Sequence, residues 1–335
     1  MSAALLLAGA VFVALCLYFL LGGADFGGGV WDLLASGPRA AAQRGAIEKA
    51  IGPIWEANHV WLILVVVVLF TAFPSAFAVI SVAMHVPLTL FVVGVVLRGS
   101  SFAFRSVETR GDRPQRRWGL VFSIASTVAP IFLGMIVGAL VSGRIRVSDG
   151  PEGGQMVRAS FFTTWLAPFP LAVGLYALAL CAFLAATYLC AEVTDEALRE
   201  DFRRRALAAG IAVGVLAAVA LALAGSGAPL VFEALLSRRL GWPLHLLTAL
   251  AALVALAALV RRRYRLARTA AAAQTVLILL GWGLAQFPFI VVPDLTLAAA
   301  SATVRTQQLL LIALLGGLPV LVPSLFLLYR VFKAS

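Results

Sequence analysis

The chain has 335 residues, of which 62% are hydrophobic and 12% charged, with mean hydropathy +1.01 and formal charge +11. This excludes an ordinary soluble domain, in which about a quarter of residues are charged. It also speaks against a nucleic-acid-binding protein, because the basic residues sit in short intervals between apolar runs, where they act as topology signals.

A helical membrane span needs about 20 apolar residues. Nine runs meet that length, at about 3–34, 53–72, 77–97, 118–141, 163–190, 206–224, 242–260, 270–291 and 309–329. Their Ala/Leu/Val composition, without alternating ten-residue segments, predicts helices rather than a barrel. The expectation is an all-α polytopic membrane protein with nine transmembrane helices in a single integral membrane domain, 1–335. The first run has no Lys or Arg before it and is too long for a leader, so it reads as a retained helix. Phe73-Pro74-Ser75 predicts a tight turn from span 2 into span 3, echoed faintly by Gln286-Phe287-Pro288. The cysteines, Cys16, Cys181 and Cys190, are odd in number, form no CxxC and fall in apolar runs, which predicts buried free thiols.

Nine spans place the intervening segments alternately on two faces. One face collects 20 of the 26 basic residues, among them Arg39, Arg98, Arg199 and Arg261, and the other collects 6. The positive-inside rule then puts the first face and the C-terminus in the cytoplasm and the N-terminus outside.

Against this apolar background two acids stand out. Glu56 lies in Trp55-Glu56-Ala57-Asn58-His59-Val60-Trp61, at the cytoplasmic start of span 2. A charged carboxylate in a span costs several kcal/mol or more, so an acid there is a candidate site by default. His59 stands at i+3 from Glu56 on nearly the same face, and together they would make a proton entry. The opposing reading has Glu56 snorkelling to the interface beside belt residues Trp55 and Trp61. Asp25 lies in the cytoplasmic half of span 1, where five glycines in the eight residues 22–29 permit close helix approach or local unwinding. Two acids at similar depth on consecutive spans fit one hydrophilic entrance. The opposing reading, which the sequence slightly favours, has Asp25 hydrogen-bonded to a neighbouring helix for structure alone. A dinucleotide-binding reading of the glycines fails because no strand precedes them.

There are three histidines. His59 lies near the cytoplasmic end of span 2, His85 nearer the middle of span 3, and His245 at the outer start of span 7. A b-type haem held between facing helices needs a matched pair, and these levels match poorly, so no haem or metal site is expected within the chain. The arginine run Arg98, Arg105, Arg110, Arg113, Arg116 and Arg117 reads as an anchor to anionic headgroups. Near the outer ends of spans 8 and 9, Asp294 and Arg305 are candidates to pair.

At these residues the chain resembles subunit II of the cytochrome bd-type quinol oxidases. The matching segments, in the family's order, are Gly23-Ala24-Asp25-Phe26-Gly27-Gly28-Gly29, Trp55 through Leu62, Phe73-Pro74, Arg98 with Phe102 and Arg105, Ala167-Pro168-Phe169, Ala186-Thr187-Tyr188-Leu189, and Phe287-Pro288-Phe289. The Trp-acid-x-Asn-x-Val-Trp-Leu block is highly specific. Some members have Asp at the position of Glu56, and Gln or Glu at that of His59.

The resemblance implies two four-helix bundles plus one peripheral helix, without haem ligands. It implies a haem-bearing partner, subunit I, that holds low-spin haem b, high-spin haem b and haem d and the quinol site, in a heterodimer of the bacterial inner membrane with room for a small single-span subunit. The assembled enzyme would oxidise quinol and reduce dioxygen to water. Glu56, Asp25 and His59 would line its proton pathway from the cytoplasm, supported by Trp55, Asn58, Trp61 and Arg98. The alternatives are a proton-coupled membrane transporter, disfavoured by the lack of a clear inverted repeat, and a purely structural assembly subunit.

Overall fold

The computed structural model describes residues 2–51, 55–107, 112–150, 155–237 and 241–333. Some side chains next to the omitted residues, including those of Trp55, Glu56, Arg105, Arg113 and Arg116, lie outside the described set.

The first helix, α1 (Ala3–Leu33), starts at Ser2, whose hydroxyl accepts from the Leu5 N–H. Its 31 residues rise about 46 Å. The helix runs through its glycines without unwinding, so close approach rather than local unwinding is what they provide. A short amphipathic helix, α2 (Ala40–Ile51), then leads into α3 (Trp55–Ala72). Pro74 opens α4 (Pro74–Ala83), bent 115° from α3, and α5 (His85–Val107) follows. Span 3 therefore begins at His85 and not near residue 77, and Phe73-Pro74 turns into a short helix before the next crossing. The apolar run 77–97 does not reveal the break at Met84, because the residues of α4 are as apolar as a span, with Ala76 and Val79 buried.

Helix α6 (Asp112–Val141) is followed by a hairpin of β1 (Arg146–Asp149) and β2 (Gln155–Arg158). Pro168, at its first position, starts α7 (Pro168–Glu192) five residues after the expected boundary. Asp195 caps α8 (Glu196–Gly227), and the short α9 (Pro229–Ser237) precedes α10 (Gly241–Val260). Next comes α11 (Tyr264–Gln286), which ends at Phe287-Pro288, so the last residues expected in span 8 form β3 (Phe289–Val291) instead. β3 pairs with β4 (Leu295–Thr296), and α12 (Leu297–Ala300) leads into α13 (Val304–Lys333). Among the described residues eight helices are long and apolar enough to cross a membrane, and the bent α3–α4 pair makes a ninth. All three cysteines are free and buried.

The helices form two bundles, α1, α3, α5 and α6, then α7, α8, α10 and α11, with α13 lying on the outside against α1 and α3. Two seams join the bundles. Gly134 and Gly138 of α6 meet Gly174 and Pro170 of α7 so closely that an added Cβ would come within 3 Å of backbone. Likewise a Cβ on Gly27 of α1 would overlap the Cys181 carbonyl of α7, and beside it Trp31 Nε1 donates to the Ala182 carbonyl at 2.7 Å. Outward faces stay apolar, with Ile63, Phe70, Leu246 and Ile312 each at least 60% exposed.

The two ends differ. At the arginine-rich end, Arg39 and Gln43 donate to Asp201, and Arg205 donates to Gln43 and to the Leu34 carbonyl, which ties α2 to α8. At the hairpin end, Arg146 forms a bidentate pair with Asp294 at 2.7 and 3.1 Å, and the Val147 N–H also donates to Asp294. The partner of Asp294 is thus Arg146, not Arg305. The hairpin β1–β2 folds over the β3–β4 turn, an approach that sequence separation conceals.

Two predictions follow from the packing. Gly27→Ala forces a methyl into backbone that cannot yield and lowers the thermal midpoint, with a cost of about 1–3 kcal/mol. Gly9→Ala, at a helical glycine with nothing within 4 Å, leaves it unchanged or raises it. The Arg146 guanidinium, helped by the Val147 N–H, holds the Asp294 carboxyl below its ordinary range. A depressed folded value means the contribution is complete above the unfolded pKa of about 3.9 and fades as pH falls through the folded one. The midpoint gap between the parent and Asp294→Asn should therefore be present at neutral pH and shrink below about pH 4.

Candidate functional site

α1 places Tyr18, Asp25 and Asp32 seven residues apart, which on a helix is one face with about 10 Å between stations. Asp25 is 5% exposed in the middle of this stripe. Asn58, on the first turns of α3, donates its amide to Asp25 Oδ2 and is itself buried. Arg98 comes in from α5, 1% exposed, with its guanidinium 5.0 Å from the Phe26 ring centre and 5.6 Å from that of Phe122. Its charge interacts with Asp25 and Tyr18. His59 is half-buried, its ring 5.9 Å from Tyr18 and 6.5 Å from Phe26. Trp61 packs into the same aromatic cluster.

Five of the seven residues singled out from the sequence therefore converge where α1, α3 and α5 meet: Asp25, Asn58, His59, Trp61 and Arg98. Arg98 changes role. It does not belong to an exposed headgroup anchor but lies inside α5, where a cation must be compensated because stripping it of water costs several kcal/mol. Of the rest of that run, Arg117 is exposed, and the side chains of Arg105, Arg110, Arg113 and Arg116 lie outside the described residues. Trp55 and Glu56 occupy the first turn of α3, and their side chains also lie outside the described residues, so the proton-entry pairing of Glu56 with His59 keeps the standing of an expectation.

Tyr18 and Asp32 escaped the sequence reading. Their heptad spacing around Asp25 was the available signal, obscured by an apolar stretch in which every face looks alike. Tyr18 also borders a cavity of about 410 Å3 between the bundles, lined by Phe19, Val173, Tyr176, His245 and Trp282 among others.

The arrangement is one that can hold a proton. It sets a buried carboxyl beside an amide donor and in the field of a cation, with an imidazole against the Tyr18 and Phe26 rings nearby, where small movements of charge are costly and directional. It does not fit a haem held by two axial histidines. His59 is in the aromatic cluster, His245 borders the cavity, and His85 is exposed at the start of α5 rather than deep in a span, with Nδ1 2.9 Å from the Val82 carbonyl. Among the described residues no group of three His, Cys, Asp or Glu could hold a metal ion.

Asn58→Leu removes the amide donor from a buried carboxyl. The expected loss is about 1–3 kcal/mol, read as a lower thermal midpoint of the purified protein, and Asn58→Gln should recover only part of it because its longer side chain must bend to reach Asp25.

The family model for cytochrome bd terminal oxidase subunit II matches residues 3–332. The cytochrome bd ubiquinol oxidase subunit 2 of Bacillus subtilis (strain 168) is 29% identical over 126 residues, 38% of this chain and 36% of that protein. The cytochrome bd-I ubiquinol oxidase subunit 2 of Escherichia coli (strain K12) is 30% identical over 185 residues, 55% of this chain and 47% of that protein. The aligned stretch thus spans less than half the length of either relative. A chain in the structure of bd oxidase from Geobacillus thermodenitrificans superposes with TM-score 0.75 at 20% identity, covering 99% of both chains, a likeness of fold. With the family model matched over residues 3–332, the chain belongs to the cytochrome bd terminal oxidase subunit II family.

Proposed function

We propose that this chain is the haem-free subunit of a bd-type quinol:oxygen oxidoreductase in a bacterial inner membrane, and that it conducts protons from the cytoplasm toward the oxygen-reducing centre of subunit I. The observation that supports this most directly is the convergence of buried Asp25, Asn58 and Arg98, with half-buried His59, at the arginine-rich half of the first bundle. The arginine-rich end faces the cytoplasm on the charge rule. The N-terminus is then periplasmic and the C-terminus cytoplasmic, and the site lies nearer the inner face.

The haems of subunit I supply the oxygen chemistry. The work of this chain is to accept, hold and release protons. Glu56, at the inner mouth, takes up a proton. Asp25 holds it, with Arg98 compensating its carboxylate form and Asn58 fixing its orientation. His59 and Trp61 wall the route. Protons drawn from inside, with quinol protons released outside, would build a membrane potential without a separate pump. The enzyme would be a heterodimer, with catalysis located in the partner, and a small single-span subunit is compatible with it.

Glu56→Gln and Asp25→Asn in the assembled complex are the test. Haem content, read from the optical spectrum, should be retained, while oxygen consumption falls on the order of 100-fold. Wild-type turnover in both would remove the proton role. Loss of haem together with activity would favour a purely structural subunit, and solute uptake by vesicles holding this chain alone would favour a transporter.

A further inference from the structure

We infer that Asp32, with the hydroxyls of Ser123 and Ser126, is a further proton station between the arginine-rich face and Asp25. The inference rests on the proton-path reading above and adds to it a carboxyl on the same face of α1. Asp32 is 3% exposed, and Ser123 Oγ, from α6, lies 2.6 Å from its Oδ2. The same Oγ lies 2.8 Å from the Gly119 carbonyl. A hydroxyl has one proton and two acceptor lone pairs. With Asp32 ionised, Ser123 donates to the carboxylate. With Asp32 protonated, Asp32 donates to Ser123 Oγ and Ser123 donates to Gly119. Both protonation states are thus hydrogen-bonded with the same heavy-atom positions, the condition for a carboxyl that must change state in every turnover.

Ser126 provides the second observation. Its hydroxyl is completely buried and makes no hydrogen bond among the described residues. It presses on Gly29, where an added Cβ would come within 2.6 Å of its Oγ. Gly29 lies three residues before Asp32 and four after Asp25, so the rise along α1 to each carboxyl is about 4.5 and 6 Å. One water making two hydrogen bonds covers about that interval. A purely structural serine in so tight a contact would be better replaced by alanine.

The step is a proton transfer that conserves electrons and atoms. Asp32 accepts a proton from water at the arginine-rich face. It gives a proton to the Ser126 hydroxyl or a water beside it, and a proton passes on to the Asp25 carboxylate, which returns Asp32 to its ionised form. Arg98, over the Phe26 and Phe122 rings, places a fixed positive charge that interacts with Asp25, so the proton moves toward a carboxylate that has a countercharge.

The test compares Asp32→Asn, Asp32→Glu, Ser123→Ala and Asp25→Asn in the purified two-subunit complex, with haem content and oxygen consumption read together. Asp32→Asn should keep its haem spectrum and lose turnover on the order of 10-fold, and Asp32→Glu should recover most of it. Ser123→Ala should slow turnover and raise the solvent deuterium isotope effect. If Asp25→Asn is slow while Asp32→Asn and Ser123→Ala match the parent, Asp32 is not on the path. If Asp25→Asn also turns over normally, the proton-path reading itself fails. Should Asp32→Asn lose its haem, Ser123→Ala decides, since it deletes a hydroxyl and no charge, and parental turnover with an unchanged isotope effect would overturn the inference.

Discussion

A carboxyl nearly sealed from solvent inside an apolar bundle must be compensated where it sits, and around Asp25 that requirement decides which helices meet. The idealised cost of taking an ion out of water is about 20 kcal/mol before relaxation, and several kcal/mol survive it. α3 therefore brings an amide and α5 a guanidinium to the same depth on α1. Arg98 is under the same constraint, because a buried cation without an anion nearby would be as costly as the acid. The aromatic rings of Phe26 and Phe122 flank its guanidinium and accept its weakly hydrated face. The polar cluster is consistent only as a whole.

The glycines make that convergence possible. Between helices in a membrane there is no hydrophobic driving force from water, so association depends on close packing and interhelical hydrogen bonds. Gly27 allows α1 against the backbone of α7, and Gly29 allows it against Ser126 of α6. One stretch of α1 thereby packs against both bundles while presenting its acids to α3, α5 and α6. The second bundle has a different character: its core is built from Ala, Leu and Phe, and its polar network lies at the end, where Asp201 gathers Arg39 and Gln43.

Much of this is legible in the sequence. Runs of about 20 apolar residues identify spans because an unsatisfied backbone in lipid is too costly for anything but a helix or a closed barrel. The acids at 25 and 56 stand out for the same energetic reason. Boundaries are less legible. The apolar run across residues 77–97 hides the break at Met84 between α4 and α5, and the run across 270–291 hides a strand, because hydropathy reports burial and not direction. Arg98 is misread from the sequence alone as part of a basic loop, since charge rules assume that an arginine near a span end reaches water.

The sequence by itself determines the class of this protein, its number of crossings, its family likeness, and the presence of acids that must be accounted for, since all of these follow from local composition and the thickness of a bilayer. Only the tertiary structure decides partners. That Asn58 donates to Asp25, that Arg98 is a buried countercharge, that Asp294 pairs with Arg146 across 148 residues, and that Ser123 meets Asp32 all depend on which helix faces lie together. Those choices are set by where glycine permits contact and where charge requires it, and neither can be read until the chain is folded.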